Sequence, residues 1–359
     1  MKKALIVLLL LAFVGSGLFA QSFTWTGYVA SGLGLTKWDG NDQMSIGLRS
    51  AEGNGAYGAE LYLAYANADE TAGLTFGVDS YSGADDWTAN LAAAYIWGKF
   101  SNGLFKLLGG VGDAGEYTST DPWYTPNDWG GWGLQLSVYP TDSIQFGVGA
   151  FTDKDLTEQL PLDEDTYVAG WLGVAGSLPD LLDFAAQLTV KKDAPGAFAS
   201  FAITAVPILA LDLYARAYDF GNLADHWDAL LRVGYKGITG LTLNAFAIPS
   251  ADKATGDDLA ILLRAQVAYA IGNITPGLFF DYGLQGREYN GYYGNTATFD
   301  KDSSFMGIRP YVNFTVAPGA TFTLGYEAGI DQSKNNRVPG VGTNGGMNHF
   351  VYTHFSYSF

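Results

Sequence analysis

The chain contains no cysteine, which excludes disulfides, thiolate metal sites, cysteine nucleophiles and anchoring through a lipidated cysteine. Charge is also scarce: 15% of residues are charged, where ordinary soluble chains carry about a quarter. The deficit falls on the basic side, with 19 Lys and Arg against 36 Asp and Glu for a net charge of -17. Neutralising phosphates needs clustered cations, so nucleic acid is excluded as a partner. One internal tract, residues 194–211, is uncharged over a helix-spanning length. Pro195, Gly196 and Pro207 interrupt it, and it reads instead with period two about a turn at Pro207. Hydrolase signatures are missing as well. Neither G-x-S-x-G nor H-E-x-x-H occurs, and the three histidines, His226, His349 and His354, are scattered, with Asp225 beside the first. Gly110 to Gly115 matches G-x-G-x-x-G but runs on into Asp121-Pro122 without a following helix, so it is not a nucleotide loop. No cofactor and no metal is implied.

What is present in excess is glycine and aromatics: Gly 47, Tyr 22, Phe 22 and Trp 9. At the amino terminus Lys2 and Lys3 precede an apolar run from Ala4 to Val14 and small residues up to Ala20. This is the layout of a secretory leader, with cleavage expected after Ala20; the other reading is a retained anchor helix, for which the run is short. The expected organisation is therefore residues 1–20 as a cleavable signal peptide and 21–359 as a single domain.

From Phe23 onward, alternate positions read Phe23, Trp25, Gly27, Val29 against Thr24, Thr26, Tyr28, Ala30, which is strand periodicity. The pattern recurs as Ala229, Leu231, Val233 against Asp228, Leu230, Arg232, and as Ile261, Leu263, Ala265 against Leu262, Arg264, Gln266. The connections alternate too. Short ones at 67–71, 99–102, 140–143, 179–183, 207–209, 237–240, 272–275 and 317–320 take turns with longer polar ones at 80–86, 113–128, 152–165, 219–224, 250–257, 287–303 and 331–346. A soluble β-sandwich does not account for one apolar face in strand after strand. The predicted fold is an all-β transmembrane antiparallel up-and-down barrel of 16 to 18 strands, with 18 favoured. That count treats 37–56 as one long first loop with some strand of its own, because an extra membrane strand at Met44, Ile46 and Leu48 would break the even number.

The chain ends in His349-Phe-Val-Tyr-Thr-His-Phe-Ser-Tyr-Ser-Phe359, with Val351, Phe355, Tyr357 and Phe359 on one face. It resembles the closing strand of Gram-negative outer-membrane β-barrel proteins, and the overall plan of 21–359 is porin-like. The resemblance implies that Phe355, Tyr357 and Phe359 form an assembly signal read by the barrel-assembly machinery. It implies outer-membrane lipids around the barrel, short turns in the periplasm and long loops outside.

A barrel of this size encloses water unless plugged, so its lining decides what passes. Alternation places Glu60, Asp79, Lys106, Lys191, Asp212, Arg216, Asp228, Arg232, Arg264, Asp281, Arg309 and Glu327 on the inward face as pore-lining candidates. The segment holding Asp113, Glu116, Asp121, Trp123, Tyr124 and Asp128 resembles a constriction loop folded into a porin channel; an outward surface loop is the other reading. Loop aromatics such as Trp129, Tyr289, Tyr292 and Tyr293 offer stacking surfaces for sugars, and the acidic loop at 152–165 offers carboxylates for calcium without the EF-hand spacing, but girdle aromatics and a solvated acidic loop are the favoured readings. The expected function is a porin for passive diffusion of small hydrophilic solutes and ions, not an enzyme. The alternative is a non-conducting surface barrel whose loops act as an adhesin, and homo-oligomerisation is left open.

Overall fold

The computed structural model describes residues 22–38, 44–48, 57–82, 87–111, 132–152, 168–190, 195–217, 220, 226–252, 256–284, 289–290, 296–297, 304–331 and 347–359. The leader and the segment from Asp113 to Asp128 lie outside them. So does Lys191.

Every pairing among the described strands is antiparallel. In chain order they are β1 (Ser22–Trp38), β2 (Met44–Leu48), β3 (Tyr57–Ala66), β4 (Ala72–Ser82), β5 (Trp87–Phe100), β6 (Phe105–Val111) and β7 (Trp132–Thr141). There follow β8 (Ile144–Thr152), β9 (Val168–Leu178), β10 (Leu182–Val190), β11 (Gly196–Ile203), β12 (Leu209–Ala217), β13 (His226–Tyr235) and β14 (Leu241–Asp252). The rest are β15 (Gly256–Tyr269), β16 (Ile274–Leu284), the two-residue strands β17 (Tyr289–Asn290) and β18 (Thr296–Ala297), then β19 (Ser304–Ala317), β20 (Ala320–Asp331) and β21 (Met347–Ser358). β1 pairs with β21, which closes an 18-strand barrel. β17 and β18 pair only with each other.

The ambiguity around residues 37–56 has a simple resolution. β3 lies along one edge of β1 from Ser22↔Ala66 to Ser31↔Tyr57, and β2 lies along the same edge from Leu33↔Leu48 to Lys37↔Met44. The two are segments of one barrel strand, separated by residues 49–56. The extra alternating stretch is real, yet the count remains even.

All eight expected short turns join consecutive strands at one rim, the rim that also holds Phe359. In the first of them Asn67 Oδ1 accepts from the backbone N–H groups of Thr71 and Ala72 at 2.8 and 2.9 Å, an Asx-type closure. The tract 194–211 that imitates a helix divides into β11, a turn and β12.

Face alternation is clean where the two sides differ in polarity. Leu213, Leu231, Val233, Leu263 and Val267 are about 40% exposed on the outer surface, while Asp212, Tyr214, Arg216, Asp228, Leu230 and Arg232 turn inward. Large apolar groups on the outside are what a lipid-facing wall requires.

The glycine and aromatic excess has a common cause. Tyr62, Trp97, Trp171, Phe184, Tyr311 and Tyr352 stand directly across from Gly77, Gly73, Gly149, Gly176, Gly277 and Gly325 on the neighbouring strand. Each ring lies over the glycine where a Cβ would be, an arrangement that pins register. Gly277→Val is therefore expected to push Tyr311 aside and to lower barrel stability by about 1–3 kcal/mol. The midpoint of the heat-induced gel shift in detergent measures it. Gly98→Ala is the control, because the nearest atom to its new methyl is 4.0 Å away, and equal midpoints for the two variants would show that the rings do not lock the register.

Candidate functional site

The charged candidates on β12 to β19 come together as a belt on the inner wall. One row crosses five strands through the register pairs Asp212↔Arg232, Arg232↔Phe246, Phe246↔Arg264 and Arg264↔Asp281. Arg216↔Asp228 lies two inward positions nearer the long-loop rim, beyond Tyr214↔Leu230. Every arginine in the belt meets a carboxylate. Arg216 Nη2 donates to Asp228 at 2.9 Å and Arg232 Nε to Asp212 at 2.6 Å. Arg264 Nε and Arg309 Nη2 donate to the two oxygens of Asp281 at 2.5 and 2.9 Å.

Asp281 is the centre of this arrangement. It is fully buried, and Arg309 is 3% exposed, so the Arg264–Asp281–Arg309 triad is a desolvated ion cluster held by charge-assisted hydrogen bonds. Phe279 supports it from below: the guanidinium carbons of Arg309 and Arg264 lie 4.7 and 6.0 Å from its ring centroid. Phe279 stacks on Tyr311 at 5.3 Å. Gln266 Nε2 donates to the Tyr311 hydroxyl at 3.2 Å, and Asn244 Nδ2 donates to Gln266 Oε1 at 3.0 Å. The polar chain thus runs from β14 to β19 and ties four strands together.

Counting the belt, four arginines meet three aspartates. The register of β19 with β20, from Ile308↔Ala328 to Tyr311↔Gly325, sets Glu327 across from Arg309. Signs alternate between Asp212 and Arg232 and again through Arg264, Asp281 and Arg309, with the apolar Phe246 between the two groups, and within each group the charges offset one another. The part of it that water reaches most is the Arg232–Asp212 pair, with side chains 20% and 15% exposed.

The other candidates fall elsewhere. Glu60 accepts a hydrogen bond from Tyr28 Oη at 3.3 Å across the β1–β3 pair. Asp79 is its register partner on β4. The side chains of Asp79 and Glu327 lie outside the described residues, as do Lys191 and the whole set Asp113, Glu116, Asp121, Trp123, Tyr124 and Asp128. Lys106 sits near the short-turn rim with its ammonium 5.5 Å from the Trp97 ring centroid. The histidines do not assemble: His226 opens β13, His349 Nδ1 shares a 2.6 Å hydrogen bond with Tyr326 Oη, and His354 lies between Gly32 and Thr323. Among the described residues no group of acids and histidines is disposed to hold a metal ion.

One feature of the inner wall was not anticipated from the sequence. Leu108, Phe151, Trp171, Phe198, Tyr214, Leu230 and Phe246 form one buried apolar cluster on inward positions from β6 to β14. Phe198 and Tyr214 stack with centroids 6.0 Å apart. The charged belt and this apolar band share strands β12 to β14, so the wall changes character around its circumference.

No protein-family model matches the chain. No curated protein matches it either. Solved structures do. OccAB1 of Acinetobacter baumannii superposes with a TM-score of 0.55 at 10% identity, over 94% of this chain and 97% of that one. OccD3 (OpdP) of Pseudomonas aeruginosa gives 0.54 at 12%, over 96% and 93%. The anion-selective porin from Comamonas acidovorans gives 0.51 at 13%, over 95% and 100%. Its fold is that of the Gram-negative outer-membrane porins. The porin fold accounts for the even strand count, the lipid-type outer face and the division of connections between two rims.

Proposed function

We propose that the protein is an outer-membrane porin, exported with a cleaved leader, through which small hydrophilic solutes and ions diffuse passively. The observation that carries the reading is the closed 18-strand barrel with ionised side chains on its inner face, since a barrel of that circumference encloses an aqueous path unless it is plugged. The pore-lining candidates on β12 to β20 act together as a wall of paired charges. The segment with Asp113, Glu116, Asp121, Trp123, Tyr124 and Asp128 narrows the path. Because Asp212, Asp228 and Asp281 already engage the arginines, the field between this segment and the wall is smaller than four uncompensated arginines would produce. The carboxyl-terminal aromatics address the chain to the barrel-assembly machinery, and lipid surrounds the apolar exterior.

Planar-bilayer recording of the refolded barrel tests the proposal. Steady open-channel steps support it, and a silent bilayer favours a surface adhesin. Selectivity gives the finer prediction. With the belt offset and the chain acidic overall, the open pore is expected to favour small cations modestly at low salt, the preference fading as the Debye length falls from about 10 Å at 0.1 M to about 3 Å at 1 M. Reversal potentials across a potassium chloride gradient report it. Anion preference that survives molar salt would mean that the arginines control the narrowest section.

A further inference from the structure

Resting on the porin reading, we infer that His349 and Tyr326 form a contact site for the phosphate of a glycolipid in the outer leaflet of the membrane, at the long-loop end of the closing seam. The two residues share the outward face with Val351, Phe355 and Leu324, which are 42%, 46% and 46% exposed. β20 and β21 pair there as Tyr326↔Val351 and Ala328↔His349, which sets the phenol and the imidazole on a diagonal. The rings stack with centroids 6.0 Å apart, and Tyr326 Oη and His349 Nδ1 share a 2.6 Å hydrogen bond. Among the described outward side chains of the strands, no other is a histidine, an acid or a base.

An ionisable ring is costly where it faces hydrocarbon and tolerated at headgroup level. His349 lies ten residues from Phe359, about 34 Å along the strand at about 3.4 Å per residue. With a strand tilt of about 40° this is roughly 26 Å along the membrane normal, the height of an apolar band of about 25 Å. The stacked Tyr357–Phe359 pair thus marks one edge of the band and the stacked Tyr326–His349 pair the other. A girdle ring needs only an apolar body and a polar tip, whereas this imidazole is also held by a second side chain. With the phenol O–H donating into Nδ1, the ring proton sits on Nε2, and that nitrogen engages no other described residue. The result is a fixed N–H donor at the level of lipid phosphates. Lys37, across from His349 in the β1–β21 register, puts a basic position beside it. A phosphorylated glycolipid supplies the charged acceptor that such a donor suits, while the chain's net charge of -17 disfavours any general attraction of anionic lipid.

The experiment titrates the refolded barrel in dodecyl maltoside with bisphosphorylated lipid A and with the same lipid dephosphorylated, and reads the midpoint of the heat-induced gel shift. The phosphorylated lipid is expected to raise the midpoint at a concentration roughly tenfold lower, the reach of one charge-assisted hydrogen bond. His349→Phe, which keeps an aromatic ring in the girdle, should abolish that difference. Tyr326→Phe, which leaves the imidazole without its hydrogen bond, should shrink it, and Tyr269→Phe, at the short-turn end of β15, should leave it intact. Equal response of the native barrel to the two lipids, or a difference that survives His349→Phe, overturns the site. If His349→Phe does not refold, an undiminished difference in Tyr326→Phe overturns it equally. Phosphatidylglycerol acting at the same concentration as lipid A also overturns it, by reducing the contact to attraction of any anionic lipid. The titration needs a folded barrel and not a conducting one, so a silent bilayer refutes the porin reading separately from this result.

Discussion

Replacing Asp281 with alanine is expected to cost the folded barrel about 3–5 kcal/mol, the penalty for leaving a buried counter-charge without its partner. Two arginines lose a carboxylate by this single change, because Arg264 and Arg309 share it at 2.5 and 2.9 Å. Arg309, only 3% exposed, has little access to water to replace it. Equilibrium unfolding in urea, followed by intrinsic tryptophan fluorescence of the barrel in detergent, measures the loss. The decisive comparison is the triple replacement Asp281→Leu, Arg264→Met, Arg309→Met, which removes the charges together and is expected to recover most of the stability. If the single alanine variant unfolds within about 1 kcal/mol of the native protein, the spread expected of an ordinary surface change, then the triad does not hold β15, β16 and β19 together.

The second large effect concerns the seam. Phe359 and Gly27 exchange backbone hydrogen bonds at 3.0 and 3.1 Å, and Ser358 N–H donates to the Gly319 carbonyl at 2.8 Å. The terminal residues thus pin β21 to its neighbours on both sides, while Phe359 stacks on Tyr357 at 5.9 Å along the outer surface. Deleting Ser358 and Phe359 removes three backbone bonds worth about 1 kcal/mol each and the terminal aromatic. Assembled barrel is expected to fall by about tenfold or more on that energy alone, while export continues. Cell fractionation with surface proteolysis separates the two steps. Normal surface levels of the truncated chain would show that neither the seam bonds nor the terminal ring governs assembly.

Much of the wall could be read from residue order because each strand with one charged face declares its orientation. Asp228, Arg232 and Arg264 alternate with leucines and valines, and the structure sets them on the inner side. Turns were legible for the same kind of reason, since Asn67 and the glycines at 240, 272 and 319, with φ of 82°, 61° and 76°, mark reversals chemically. Pairing was not legible. That Arg232 meets Asp212 and Asp228 meets Arg216 depends on the register of β12 with β13, which turn length sets and a one-residue slip would undo.

The inner apolar band escaped for a different reason. In β9 the run Val168 to Gly176 is apolar on both faces, so alternation cannot distinguish Trp171, 2% exposed, from Leu172, 56% exposed. A useful signal was present nonetheless. Leu230 and Phe246 interrupt faces otherwise marked by Asp228, Arg232 and Asn244, and an apolar residue on a charged face is a mark of packing inside the barrel.

The divided strand beside β1 carries an evolutionary consequence. Since β2 and β3 are each aligned independently by β1, the number of residues between Leu48 and Tyr57 does not enter the register of either. Insertions and deletions there leave the frame of all later strands untouched. The chain therefore has a position, between two segments aligned separately on β1, where sequence can be gained, lost or exchanged while the closure of the barrel is inherited unchanged.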